Sequence, residues 1–230
     1  MTNKSENQLD IYLEVGKTKV FACAVDWPGW CRSGRNEESA IYSLQSYAQR
    51  YANIIKPVGL AIVSPHTVDD FTIIERTDGN YATNYGVPDL PIPADYGPLS
   101  LEQIGRFSKI LKACWLAFDQ AARAAEGREL RKGPRGGGRE LTEIINHVAQ
   151  AEKGYLRRLG WNGVIPEETE IRLWMDHVHG EILEGIQAAT RGEYPKEGPH
   201  GGKRWPPAYF IRRVAWHALD HAWEIEDRIM

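Results

Sequence analysis

His217 and His221 stand four residues apart in a stretch whose apolar residues, Phe210, Val214, Ala218, Ile225 and Ile229, recur at helical spacing. Advancing about 100° per residue from Val214 places Phe210, Ile211, His217, Ala218, His221 and Ile225 within about 60° of one another, so both imidazoles point inward. An i, i+4 pair stacks on adjacent turns with Cβ atoms about 5–6 Å apart. Two such rings can reach one metal ion at about 2.0–2.1 Å. His147 continues a face made by Ile144, Ala151 and Tyr155. A third inward imidazole on a neighbouring helix would complete a three-histidine site with one position left for water or substrate, the open pattern of catalytic metal rather than the closed pattern of structural metal. An inward histidine also fits a core position with satisfied hydrogen bonds. Two buried imidazoles side by side each need a partner to offset desolvation.

Glu224, three residues after His221, falls on the rim of the same face. It could orient a ligand imidazole, act as a general base, or pair with Arg228 one turn on. His177 points away from the Ile171 stripe and His179 lies on its flank, and both are expected on a solvated face. His66 and His200 lie in polar or Gly/Pro-rich connections and carry little information. The stretch Arg128 to Arg139 reads R-E-L-R-K-G-P-R-G-G-G-R. Its glycine spacing is that of a phosphate loop, but Arg139-Glu140 replace the Lys-Ser/Thr that would hold phosphate and magnesium, and no strand precedes it, which excludes a nucleoside triphosphatase. Lys132, Arg135 and Arg139 are then candidates to clamp an anionic group such as a carboxylate, about 10 Å ahead of His147. A flexible, solvated connection is the alternative.

These residues need elements to carry them. In 230 residues with a net charge of −3, nothing argues electrostatically for a dedicated nucleic-acid binder. No apolar run approaches the roughly 20 residues of a membrane span, and Met1 to Asp10 is polar, so a cytoplasmic location with no membrane partner is expected. Cys23, Cys31 and Cys114 show no CxxC spacing; neither a disulfide framework nor a cysteine zinc site is expected, and histidine must supply the ligands. From residue 10 to residue 76 the pattern reads strand, strand, helix, strand: Ile11–Val15, Lys19–Asp26, a helix capped by Asn36 and running to Lys56-Pro57, and Phe71–Arg76. Residues 77–97, rich in glycine and proline, read as a linker without regular structure. From 98 to 230 the period is about 3.6. Four amphipathic helices follow, so the expected fold is a small α+β domain followed by an all-α four-helix bundle. Trp216 and Trp223, seven residues apart and opposite the histidines, read as an outward contact face for the first domain or a second subunit.

The segment Asn146-His147-Val148-Ala149-Gln150-Ala151-Glu152, with Val214-Ala215-Trp216-His217-Ala218-Leu219-Asp220-His221-Ala222-Trp223-Glu224 some seventy residues later, resembles the DinB-like (DinB/YfiT) superfamily of metalloenzymes. The resemblance covers roughly Pro98 to Met230. It implies a bundle with nonsequential helix packing, one divalent metal such as zinc or nickel on His147, His217 and His221, and frequently a homodimer. Some members transfer thiols such as bacillithiol or isomerise substrates with mycothiol. Asp26-Trp27-Pro28-Gly29-Trp30-Cys31-Arg32-Ser33-Gly34, followed by Glu38 and Ala40, resembles the strand–turn–helix signature of HicB-like antitoxin domains over about Ile11 to Arg76.

The expected function is that of a metal-dependent hydrolase or thiol-transferase-like enzyme acting on a thiol or anionic small molecule. Glu224 is its candidate assisting base, and Lys132, Arg135 and Arg139 are its anion contacts. The alternative is a non-catalytic regulatory protein that uses the first domain to bind a protein partner and the bundle to dimerise.

Overall fold

The computed structural model of the protein describes residues 8–63, 65, 67–133, 138–167, 170–193, 197 and 202–230. The chain divides into two compact units, Met1–Ile92 and Pro93–Met230.

In the first unit, β1 (Leu9–Val15), β2 (Val20–Ala24), β3 (Cys31–Gly34) and β4 (Phe71–Asp78) form one sheet in the order β3-β2-β1-β4. β1 is antiparallel to β2 and parallel to β4, with a register shift between Ile11 and Tyr12. As an interior strand β1 is buried on both faces from Ile11 to Glu14. Burying a carboxylate requires donors. Glu14 accepts from Thr83 Oγ1 and from the backbone N–H groups of Asp89 at 3.0 Å and Leu90 at 3.1 Å. Those bonds fold the segment after β4 back onto the strand. Within residues 77–97, expected to lack regular structure, the chain forms α3 (Tyr81–Tyr85) and a 3-10 turn at Pro93–Tyr96. Local capping explains the short helix: Asn80 accepts from Thr83 N, and Gly86 closes it at φ +100°.

The single helix expected after Asn36 is two, α1 (Glu37–Ser46) and α2 (Ala48–Ile55). Trp30 Nε1 donates to Leu44 O at 2.9 Å, and Tyr47 N–H reaches the same carbonyl in a 3-10 bond at 3.2 Å, so the ladder breaks at Tyr47. Trp30 is fully buried and stacks on Tyr51, whose hydroxyl donates to Pro28 O at 2.9 Å. β3, four residues long, is not foreseen by periodicity. Its pairing sets Cys31 opposite Cys23, and the two form a disulfide with Cα atoms 4.0 Å apart. Residue counting gives no sign of that bond, because it depends on strand register.

The second unit consists of α4 (Leu101–Ala124), α5 (Leu141–Leu159), α6 (Ile171–Arg191) and α7 (Pro207–Arg228). Their ends carry a Ser100/Gln103 capping box, left-handed Gly160 and Gly192, and Pro207 in the first turn. α4 packs on α7 and α6, and α5 packs on α6 and α7, so α4 takes as its principal neighbour the helix furthest from it in sequence. α7 is buried continuously from Tyr209 to Leu219. Trp216 and Trp223, expected on an outward face, are 5% and 1% exposed. The wheel fails here because α7 is enclosed nearly all round. Its arginines are drawn in as well: Arg212 forms a buried bidentate pair with Asp95 in the 3-10 turn, one arm at 2.6 Å. Among the described residues no helix is long and apolar enough to cross a membrane.

Candidate metal centre

α5 carries His147 and α7 carries His217 and His221 one turn apart; the packing of these two helices brings the three rings together. Ring centroids lie 5.0 Å apart for His147 with each partner and 4.7 Å apart for His217 with His221. One nitrogen from each residue falls within 4.8 Å of the others. His147 Nε2 and His217 Nε2 are 3.2 Å apart. Two nitrogens held about 2.0–2.1 Å from one tetrahedral ion stand about 3.3 Å apart, so this spacing fits a shared metal. The set is all nitrogen, which suits a divalent transition metal rather than the oxygen-seeking calcium or magnesium.

His221 Nδ1 lies 2.8 Å from Glu224 Oε2. An ionised carboxylate only accepts, so Nδ1 is the donor and Nε2 is the nitrogen left to serve as a ligand. Glu224 Oε1 accepts from Arg228 Nη1 at 2.6 Å. The bond from His221 foremost, and then Arg228, hold the Glu224 carboxyl below its ordinary range against the opposing effect of burial. His217 Nδ1 is buried without a hydrogen-bond partner.

Burial and nearby groups favour the neutral form of two of the rings. Burial above all, then His221, Arg213, His147 and Arg139 beside it, push the His217 imidazole well below 6.5. His147 is lowered by burial, then by Arg139 and His221, with Glu224 acting the other way. Neutral imidazole is the form that binds metal, and the shifts of His147 and His217 both favour it. Tyr155 meets His217 edge to face at 5.5 Å, and Arg213 lies over the Tyr155 ring at 5.3 Å.

The other candidates separate. Arg139 is close enough for its charge to act on both His147 and His217. Lys132 Nζ pairs with Glu140 Oε1 at 3.3 Å, each half exposed. Arg135 lies outside the described residues, as do His66 and His200. His177 is exposed, as expected. His179, expected on a solvated face, instead stacks on Trp115 and pairs with the fully buried Glu152. A carboxylate inside the apolar stripe Val148, Glu152, Leu156 was the available sign, since a buried acid requires a partner.

Four long helices with three inward imidazoles on two of them define a helical protein built around a cluster of metal-binding character. The chain belongs to the DinB superfamily, whose family model matches residues 110–225, half of the chain, from within α4 to within α7. No curated protein and no solved structure matches it significantly.

Proposed function

We propose that α4–α7 form the four-helix bundle of a metal-dependent enzyme in which His147, His217 and His221 hold one zinc or nickel ion, and that the substrate is a thiol or anionic small molecule undergoing hydrolysis or thiol transfer. The observation that carries this reading is the convergence of three imidazole nitrogens within 4.8 Å, from histidines seventy residues apart in sequence on two packed helices. Bound there, the ion would supply Lewis acidity. Glu224 keeps His221 in the ligating tautomer and turns its ring toward the cluster. Both carboxylate oxygens are engaged, so we assign Glu224 to orientation rather than proton abstraction. Arg139 is the favoured anion contact because its charge reaches the cluster, whereas Lys132 is occupied by Glu140. A homodimer of such bundles is part of the proposal.

Metal content by emission spectroscopy, on protein purified without a nickel column, tests it. About one equivalent of a divalent transition metal is expected, falling to a trace in His217→Ala. Less than about a tenth of an equivalent, together with an unchanged melting temperature on His217→Ala, would overturn the proposal.

A further inference from the structure

We infer that Arg228 is a positioning residue of this centre: its guanidinium holds the carboxylate that orients His221 and fastens Arg131 and Arg139, on either side of the glycine-rich sequence, so that ligand orientation and the placement of Arg139 are set by one side chain. The inference rests on the metal-centre reading above and adds to it the device that builds the site.

Three donors of Arg228 go to three different places. Nη1 donates to Glu224 Oε1 at 2.6 Å, while the other oxygen of that carboxylate accepts from His221 Nδ1 at 2.8 Å. Nε donates to Arg131 O at 3.0 Å and Nη2 to Arg139 O at 2.8 Å. The side chain is only 14% exposed. Arg131 and Arg139 bracket the glycine-rich stretch, so the guanidinium ties its two ends to the last turn of α7.

The near flank has further backbone ties. Arg131 N donates to Arg228 O at 2.7 Å, Leu130 bridges Ile229, and Met230 N reaches Glu129 O at 3.2 Å. At the far flank the chain closes tightly over the guanidinium. Gly138 has φ +131°, and a Cβ there would stand 2.7 Å from Arg228 Nη2. A side chain at 138 is therefore disfavoured by conformation, and it would push Arg228 Nη2 away from Arg139 O.

A planar guanidinium presents donors in fixed, divergent directions, which a lysine ammonium cannot reproduce. That difference separates positioning from bulk stability. Glu224→Gln, Arg228→Gln, Arg228→Lys and the Glu224→Gln/Arg228→Gln double variant would be compared in the full chain. Zinc affinity is measured by competition with a chromophoric chelator, and the flanks by hydrogen exchange of peptides covering 129–140.

Both Gln variants are expected to weaken zinc binding about tenfold, and the double variant no further than the weaker single, because the two residues act through one chain of bonds. Arg228→Lys, which keeps a cation for Glu224, is expected to stay within about threefold of the unsubstituted protein in zinc affinity, yet to exchange faster at the flanks. Glu224→Gln should leave the flanks protected. Zinc affinity in Arg228→Gln within about twofold of the parent, multiplicative losses in the double variant, or unchanged exchange at 129–140 in Arg228→Gln and Arg228→Lys would each overturn the inference. If Arg228→Gln does not fold, Arg228→Lys and Glu224→Gln carry the comparison. An unsubstituted protein that binds no zinc would overturn the metal centre itself. The exchange measurement, which needs no metal, would still decide whether Arg228 holds the flanks.

Discussion

His179 Nε2 lies 2.9 Å from Glu152 Oε2, and Trp115 Nε1 donates to the other oxygen of that carboxylate at 3.0 Å. The imidazole also stacks on the indole, with centroids 3.9 Å apart and planes 9° apart. α5 therefore carries two polar clusters on different faces, one through His147 toward α7 and one through Glu152 toward α4 and α6. Glu152→Ala would leave a buried indole N–H and an imidazole without their acceptor. A loss of about 3 kcal/mol in urea unfolding is expected, against about 1 kcal/mol for Glu152→Gln, which keeps one acceptor oxygen. Equal losses in the two variants would show that hydrogen bonding by the carboxylate does not matter there.

Asp95 and Arg212 make the second test of a buried charge. Removing one partner strands the other, so Asp95→Ala is expected to cost about 3 kcal/mol. Replacing both, as in Asp95→Leu/Arg212→Met, removes the stranded charge and should recover a large part of that loss. Denaturant midpoints of the single and double variants decide it; a double variant less stable than the sum of the singles contradicts the account.

The histidine cluster gives the metal-free protein a defined response to acid. In the unfolded chain His217 takes a proton near its ordinary value of 6.5, whereas in the folded chain burial and nearby cations keep it neutral to a lower pH. Between the two values the unfolded state binds more protons, so the stabilisation is complete above about pH 6.5 and is lost as pH falls below it. The melting temperature of chelator-treated protein should therefore drop between about pH 7 and about pH 5.5, and His217→Gln should flatten the drop. A profile that is identical in the variant would remove His217 as the cause.

Zinc itself should stabilise the folded chain by mass action. At a free concentration one hundred times the dissociation constant the gain is about 2.7 kcal/mol, seen as a rise in melting temperature that scales with the logarithm of added metal. His221→Ala is expected to abolish the rise. A rise of the same size in that variant would place the bound metal elsewhere.

Much of the second unit can be read from periodicity and caps. The stripes through Ile104, Ile144, Trp174 and Val214, with a stop at Gly160 and a start at Pro207, coincide with the four helices. The inward placement of His147, His217 and His221 follows from the same wheels. Less of the first unit is legible. β3 is too short for a period to register, and the break at Tyr47 is made by an indole fourteen residues before Leu44 in the chain. The short helix after Asn80 needed local capping to be weighed against its glycines and prolines. His179 could not be placed from its own helix, since its environment comes from Trp115 and Glu152 on two others. Trp216 and Trp223 were misplaced for a related reason: a wheel distinguishes two sides, and α7 has hardly any exposed side at its centre.

The enclosure of α7 has a temporal side. Synthesis runs from α4 to α6 before α7 appears, so α4 leaves the ribosome before its principal neighbour exists, with apolar surface that α6 covers only in part. His147 likewise waits seventy residues for His217. The nascent second unit thus passes through a sticky interval, and the three imidazoles can meet only once α7 has been made.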